Sequence, residues 1–102
     1  DEIFIKSNGS HVRLMFSDIL FIEGMGDYVK YVTTGKTYIA HSTLKAAAEK
    51  MNSDLFLKVH RSYIVNVEKV LDVTDNSIKI NNTVIPVSKS NKAGLRMKLG
   101  IA

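Results

Sequence analysis

The sequence predicts a mostly-β domain with one short central helix. Short apolar or alternating runs recur along all 102 residues. Turn signals separate these runs, among them Asn8-Gly9, Thr33-Thr34-Gly35-Lys36 and Asn81-Asn82. Only Thr43 to Met51 is dense in good helix formers, with Leu, Ala, Glu and Lys throughout. A chain of this length has room for one hydrophobic core, so a single domain over 1–102 is expected.

Each element has a local reason. Ile3 to Lys6 and Val12 to Phe16 flank Ser7-Asn8-Gly9-Ser10, the pattern of a hairpin, with Val12, Leu14 and Phe16 on one face. Ile19 to Ile22 is wholly apolar and predicts a strand covered on both sides. The glycines of Glu23-Gly24-Met25-Gly26-Asp27 predict a loop there. Tyr28 to Val32 alternates, and after the next turn Thr37 to Ala40 returns. Ser42 is the expected N-cap of the helix, and Leu44, Ala47, Ala48 and Met51 form a narrow apolar stripe that reads as a core face. Asn52-Ser53-Asp54 should end it. Val70 to Val73, Ser77 to Ile80 and Val84 to Val87 read as further short strands, with Pro86 at an edge or a strand end. Ser90-Asn91 can cap a short C-terminal helix that places Leu95 and Leu99 on one side, although Gly94 weakens it.

Composition bounds the function. Apolar residues make up 45% and charged residues 24%, ordinary values for a globular protein. No apolar run approaches the roughly 18 residues of a membrane span, and no signal-peptide pattern opens the chain. With no cysteine there is no disulfide framework and no thiolate zinc site, which is compatible with a reducing cytoplasm. Net charge is +4, and all of the excess lies in the second half. Residues 88–102 hold Lys89, Lys92, Arg96 and Lys98 and no acidic residue. A one-sided basic region points to a polyanionic partner.

The run Phe56 to Asn66 adds chemistry to that charge. Its apolar ends enclose Lys58, His60, Arg61 and Ser62, a set that hydrogen-bonds phosphates and base edges. Standing alone, the segment would more simply be a solvated charged strand face. Catalysis and metal binding find no support. His11, His41 and His60 lie far apart, with no carboxylate at helical ligand spacing. His60 and Ser62 lack an orienting carboxylate, and Glu23-Gly24-Met25-Gly26 lacks the Lys-Ser/Thr of a phosphate-binding loop. No enzyme activity, metal or cofactor is expected.

Three motifs in the right order resemble the LytTR-type DNA-binding domain, an output module of bacterial response regulators. They are Phe21 to Val29, Phe56 to Asn66 and Ile85 to Ser90, and the central one is the most specific. Lys58 and Lys89 stand where Arg is common in the family, which keeps charge but loses the two-pronged geometry of guanidinium. The resemblance implies about ten strands in several small antiparallel sheets, and DNA binding by loops entering successive major grooves. Carried over residue by residue, the first contact loop is Met25 to Tyr28, with Asp27 and Tyr28 able to meet bases. The second is Lys58 to Ser62, with Arg61 as base reader and His60 either a DNA contact or a group satisfied within the sheet. The third is Ser88 to Lys92, in which Ser88, Lys89, Ser90 and Lys92 suit phosphates and Asn91 lies among them.

The implied partners are double-stranded DNA bearing promoter direct repeats and, in a longer protein, an upstream receiver domain. A homodimer on DNA is compatible with this; a membrane partner is not expected. The start at Asp1-Glu2-Ile3 leads to the expectation of a domain excised from a longer regulator. The alternatives are an RNA-binding β module and a basic protein-interaction or membrane-sensing module. Against the first, Tyr28 and Tyr31 alternate in direction and make no stacking pair. Against the second, the first half shows no apolar docking surface.

Overall fold

A computed structural model describes residues 1–51 and 53–101. Among these residues ten strands, all paired antiparallel, form three sheets. Asn8 and Gly9 both take positive φ, 51° and 78°, the type I′ pattern that suits strand twist. They join β1 (Glu2–Ser7) to β2 (Ser10–Met15) as a two-stranded sheet. Phe16 leaves the strand and opens a 3-10 turn, Phe16–Asp18, but stays buried.

The central sheet has the order β5-β4-β3-β7-β6. Its strands are β3 (Ile19–Met25), β4 (Tyr28–Thr33), β5 (Thr37–His41), β6 (Phe56–His60) and β7 (Tyr63–Asn66). Both faces of β3 are covered, which explains its unbroken apolar run. Ile19 and Ile22 enter a core shared with the first sheet and α1 (Leu44–Lys50). Leu20 and Phe21, adjacent in sequence, both enter a second core, because the pairing with β4 shifts register between Ile19 and Phe21. That second core is closed by β8 (Asp72–Val73), β9 (Ser77–Ile80), β10 (Thr83–Pro86) and α2 (Lys92–Leu99), with Ile78, Ile80, Ile85 and Leu95 buried. Burying each such side chain stabilises the fold by roughly 1.5–3 kcal/mol.

Four expectations need correction. Glu23, Gly24 and Met25 continue β3, and the loop is only Gly26-Asp27. Gly24 serves helix packing: a Cβ there would lie 3.1 Å from Leu44 Cβ. Gly26, at φ +68°, is the true turn glycine, at the first position of a two-residue turn. Thr43, not Ser42, caps α1 by accepting the Ala46 N–H at 3.1 Å. Ser42 instead donates its N–H to Asp27 O at 2.9 Å and its hydroxyl to Thr43 O. The expected strand Val70 to Val73 shrinks to Asp72–Val73, because a 3-10 turn, Val67–Lys69, precedes it. At the C-terminus a 3-10 turn, Lys89–Asn91, leads into α2, and Asn91 bonds Ser88 rather than the helix end.

Two further expectations agree with the structure. Of the stripe, Leu44, Ala47 and Met51 are buried and Ala48 is half-buried against the same core; Met51 closes the helix, and Asn52 lies outside the described residues. Pro86 ends β10, an edge strand. Among the described residues, no helix is long and apolar enough to cross a membrane.

Candidate nucleic-acid interface

Strand order gathers three polar segments that are remote in sequence. Antiparallel pairing of β3 with β7 sets Glu23 opposite Tyr63, so the end of β3 adjoins the start of β7. Gly24 N–H donates to Ser62 O at 2.8 Å, joining the two there. The Gly26-Asp27 turn and the Arg61-Ser62 turn therefore project from one end of the central sheet. The third segment docks on β6, where Ser88 N–H donates to Val59 O at 2.9 Å.

Within the first segment, Met25 and Tyr28 face each other across the turn, both exposed, and Asp27 is exposed between them. In the second, Lys58 and His60 belong to β6, so only Arg61 and Ser62 form the turn. Neither turn residue takes positive φ. The chain instead reverses with a register shift between Lys58 and His60 and a side-chain bond: His60 Nδ1 accepts the Ser62 N–H at 3.0 Å. Arg61 is thereby left exposed at the apex. In the third, Lys89 and Ser90 are exposed on the 3-10 turn, and Ser88 and Asn91 are half-buried and bonded to each other.

Lys58, His60, Arg61, Ser88, Ser90 and Asn91 line one open depression of about 430 Å³. Lys58, Arg61 and Lys89 form no ion pair among the described residues, so their charges are available to an anion. Lys92 differs. Its ammonium donates to Asn76 Oδ1 at 2.8 Å and lies 3.9 Å from Asp75, which turns it toward the β8–β9 connection.

A side-chain hydrogen bond ties β3 to β7 just beneath this end. Tyr63 donates its hydroxyl to Glu23 Oε2 at 3.1 Å, and burial, followed by the Glu23 carboxylate, pushes the phenol above its ordinary value. At the opposite end of β7 Asn66, fully buried, donates to Ile19 O at 2.9 Å and accepts from Glu68 N–H at 3.0 Å. His41, passed over beyond the search for metal ligands, lies opposite Tyr28 with ring centroids 5.1 Å apart. It stands one residue beyond the strand read from the sequence, Thr37 to Ala40.

Residues 9–100 match the family model described as the LytTr DNA-binding domain. The chain belongs to the LytTr DNA-binding domain family. Its resemblance to solved folds agrees. The LytTr DNA-binding domain of a putative methyl-accepting/DNA response regulator from Bacillus cereus superposes with a TM-score of 0.81 at 23% identity, covering 98% of this chain and 97% of that one. Among longer relatives, the heme-containing CO-sensing transcriptional regulator RcoM 1 of Paraburkholderia xenovorans is 30% identical over 97 residues, 88% of this LytTr domain. The sensory transduction protein LytT of Bacillus anthracis is 29% identical over 98 residues, 90% of the domain. The chain spans 36% of the first relative and 40% of the second. This is a DNA-binding module of the kind used in transcription regulation.

Proposed function

We propose that this LytTr domain reads specific double-stranded DNA by inserting the Gly26-Asp27 and Arg61-Ser62 turns, with the Ser88 to Lys92 segment, into the major groove. The observation that carries this is the convergence of three polar segments on one end of a sheet packed on both faces. A rigid support of this kind lets a few side chains hold their geometry against base edges. Arg61 is the base reader, since its fork matches guanine O6 and N7. Asp27 accepts from a cytosine amino group, and Tyr28 meets bases beside it. Lys58, Ser62, Ser88, Lys89 and Ser90 take phosphates and fix register. His60 acts by shaping the turn, and Met25 and Asn91 pack beside the contacts. Lys92 contributes only where it exchanges Asp75 for a phosphate.

In the longer protein, residues 1–102 act as one output domain under a separate sensory or receiver domain. The greater length of the relatives supports this, and the Bacillus anthracis relative is a sensory transduction protein. Direct repeats as operator, two copies on DNA and a cytoplasmic location follow from the same reading. Selection of bound sequences from a random duplex library tests it. A defined site should emerge and should outcompete random duplex, single-stranded RNA and anionic vesicles; preferential binding of RNA or vesicles would overturn it.

A further inference from the structure

The tip of the β1–β2 hairpin lies beside the first DNA-facing turn. Ser7, only 7% exposed, donates its hydroxyl to Ile39 O at 2.8 Å, which fastens the tip to β5. Ile5 and Leu14 anchor the same hairpin in the core. The tip is therefore carried by the sheet rather than swinging free. Two residues beyond Ile39 stands His41, on the same exposed side and edge-on to Tyr28.

Between hairpin and sheet is an open depression of about 620 Å³, lined by Lys6, Asn8, Gly9, Tyr28, Ile39 and His41. Among the described residues no carboxylate lines it. Glu2 is at the far end of the hairpin, held by Arg13 at 3.3 Å, while Lys6 forms no ion pair among the described residues. The nearest acidic side chain in sequence, Asp27, is on the neighbouring turn. An ammonium, an amide and an imidazole around one hollow supply donors for an oxyanion. The hollow shares the wall of Tyr28 with the groove-facing end, so an anion in it belongs to the same duplex.

We infer that the hairpin tip is a fourth DNA contact, in which Lys6, Asn8 and His41 hold a backbone phosphate flanking the bases met by Tyr28. The inference rests on the function proposed above and adds an element of the fold to it. A contact of this kind fixes register and carries no base preference of its own.

The test uses a duplex selected from a random library and an unselected duplex of equal length, with affinities measured across a range of salt. Lys6→Ala should reduce the magnitude of the slope of log affinity against log salt by about 0.9. It should weaken both duplexes by a similar factor. Asn8→Asp, which keeps a residue tolerant of positive φ but adds a repelling carboxylate, should weaken both as well. Lys36→Ala, whose ammonium sits 4.8 Å over the Tyr38 ring beside the opposite turn, should leave the slope unchanged. Phosphate-ethylation interference should show one phosphate that matters to the parent protein and no longer to Lys6→Ala or His41→Ala. Salt-dependent binding with an unchanged slope and an unchanged ethylation pattern in these variants would overturn the fourth contact alone. No duplex binding by the parent protein would overturn the proposed function and this inference with it.

Discussion

His60 Nδ1 accepts the backbone N–H of Ser62 at 3.0 Å, and that single bond supports the turn on which Arg61 stands. The accepting nitrogen carries no proton, so Nε2 is the N–H of the ring. The ring also meets Tyr63 edge-on, with centroids 5.8 Å apart. His60 thus positions a neighbour that reaches outward.

Replacing His60 by Ala removes one neutral hydrogen bond, worth about 0.5–1.5 kcal/mol, from the turn. Affinity for selected duplex should fall, while the far-ultraviolet spectrum stays that of the parent. His60→Asn, which offers a side-chain acceptor to the same N–H, should recover part of the loss. Equal affinities for the two variants would remove the positioning role.

Asn66 carries a different kind of weight. Its side chain satisfies Ile19 O and Glu68 N–H inside the fold, and Asn66→Leu leaves them without partners. Denaturant titration should show a loss of about 2–4 kcal/mol. A loss below about 0.5 kcal/mol would mean that water replaces the amide.

Gly24 and Gly26 should fail in opposite ways. At Gly26 there is open space but φ is +68°, so Gly26→Asn should be tolerated better than Gly26→Val. At Gly24 the backbone is ordinary, and the obstacle is Leu44 Cβ at 3.1 Å. Gly24→Asn and Gly24→Val should both destabilise by about 1–3 kcal/mol by pushing α1 outward. Thermal melting of the four variants separates strain from crowding.

Alkaline titration probes the floor of the site. Tyr63 and Tyr31 are both raised above the ordinary value of 10.0, Tyr31 by burial and Tyr63 by burial and Glu23. Their contribution to stability is complete below pH 10.0 and declines above it, because the unfolded chain releases protons that the folded chain retains. In Tyr63→Phe the decline should be shallower, with the part due to Tyr31 remaining. Stability curves of identical steepness would show that Tyr63 ionises as freely folded as unfolded.

Much of this architecture was legible locally. Asn8-Gly9 announced its turn, and the stripe Leu44, Ala47, Met51 announced its core face. Two of the misread places share a cause, since each was decided by a partner distant in sequence. Gly24 looks like a loop residue until Leu44 packs against it. Ser42 looks like a cap until Asp27 O fixes its backbone before the helix and Thr43 takes the Ala46 N–H. The site shows the same limit. Arg61 and its neighbours stood out by composition, but their meeting with the Asp27 turn depends on β3 pairing with β7 across about forty residues, and no local pattern encodes that choice of neighbour. His41 had chemistry without context until Tyr28 was set opposite it.

The most direct measurement is the affinity of Arg61→Ala for selected and for random duplex at one fixed salt concentration. Loss of a two-pronged guanine contact is worth about 1–3 kcal/mol, roughly fivefold to 150-fold, and it should fall on the selected duplex while random duplex changes far less. Arg61→Lys should restore only part of the difference, because an ammonium lacks the fork. Equal losses on both duplexes would place Arg61 on phosphate and contradict its role as the reader of bases.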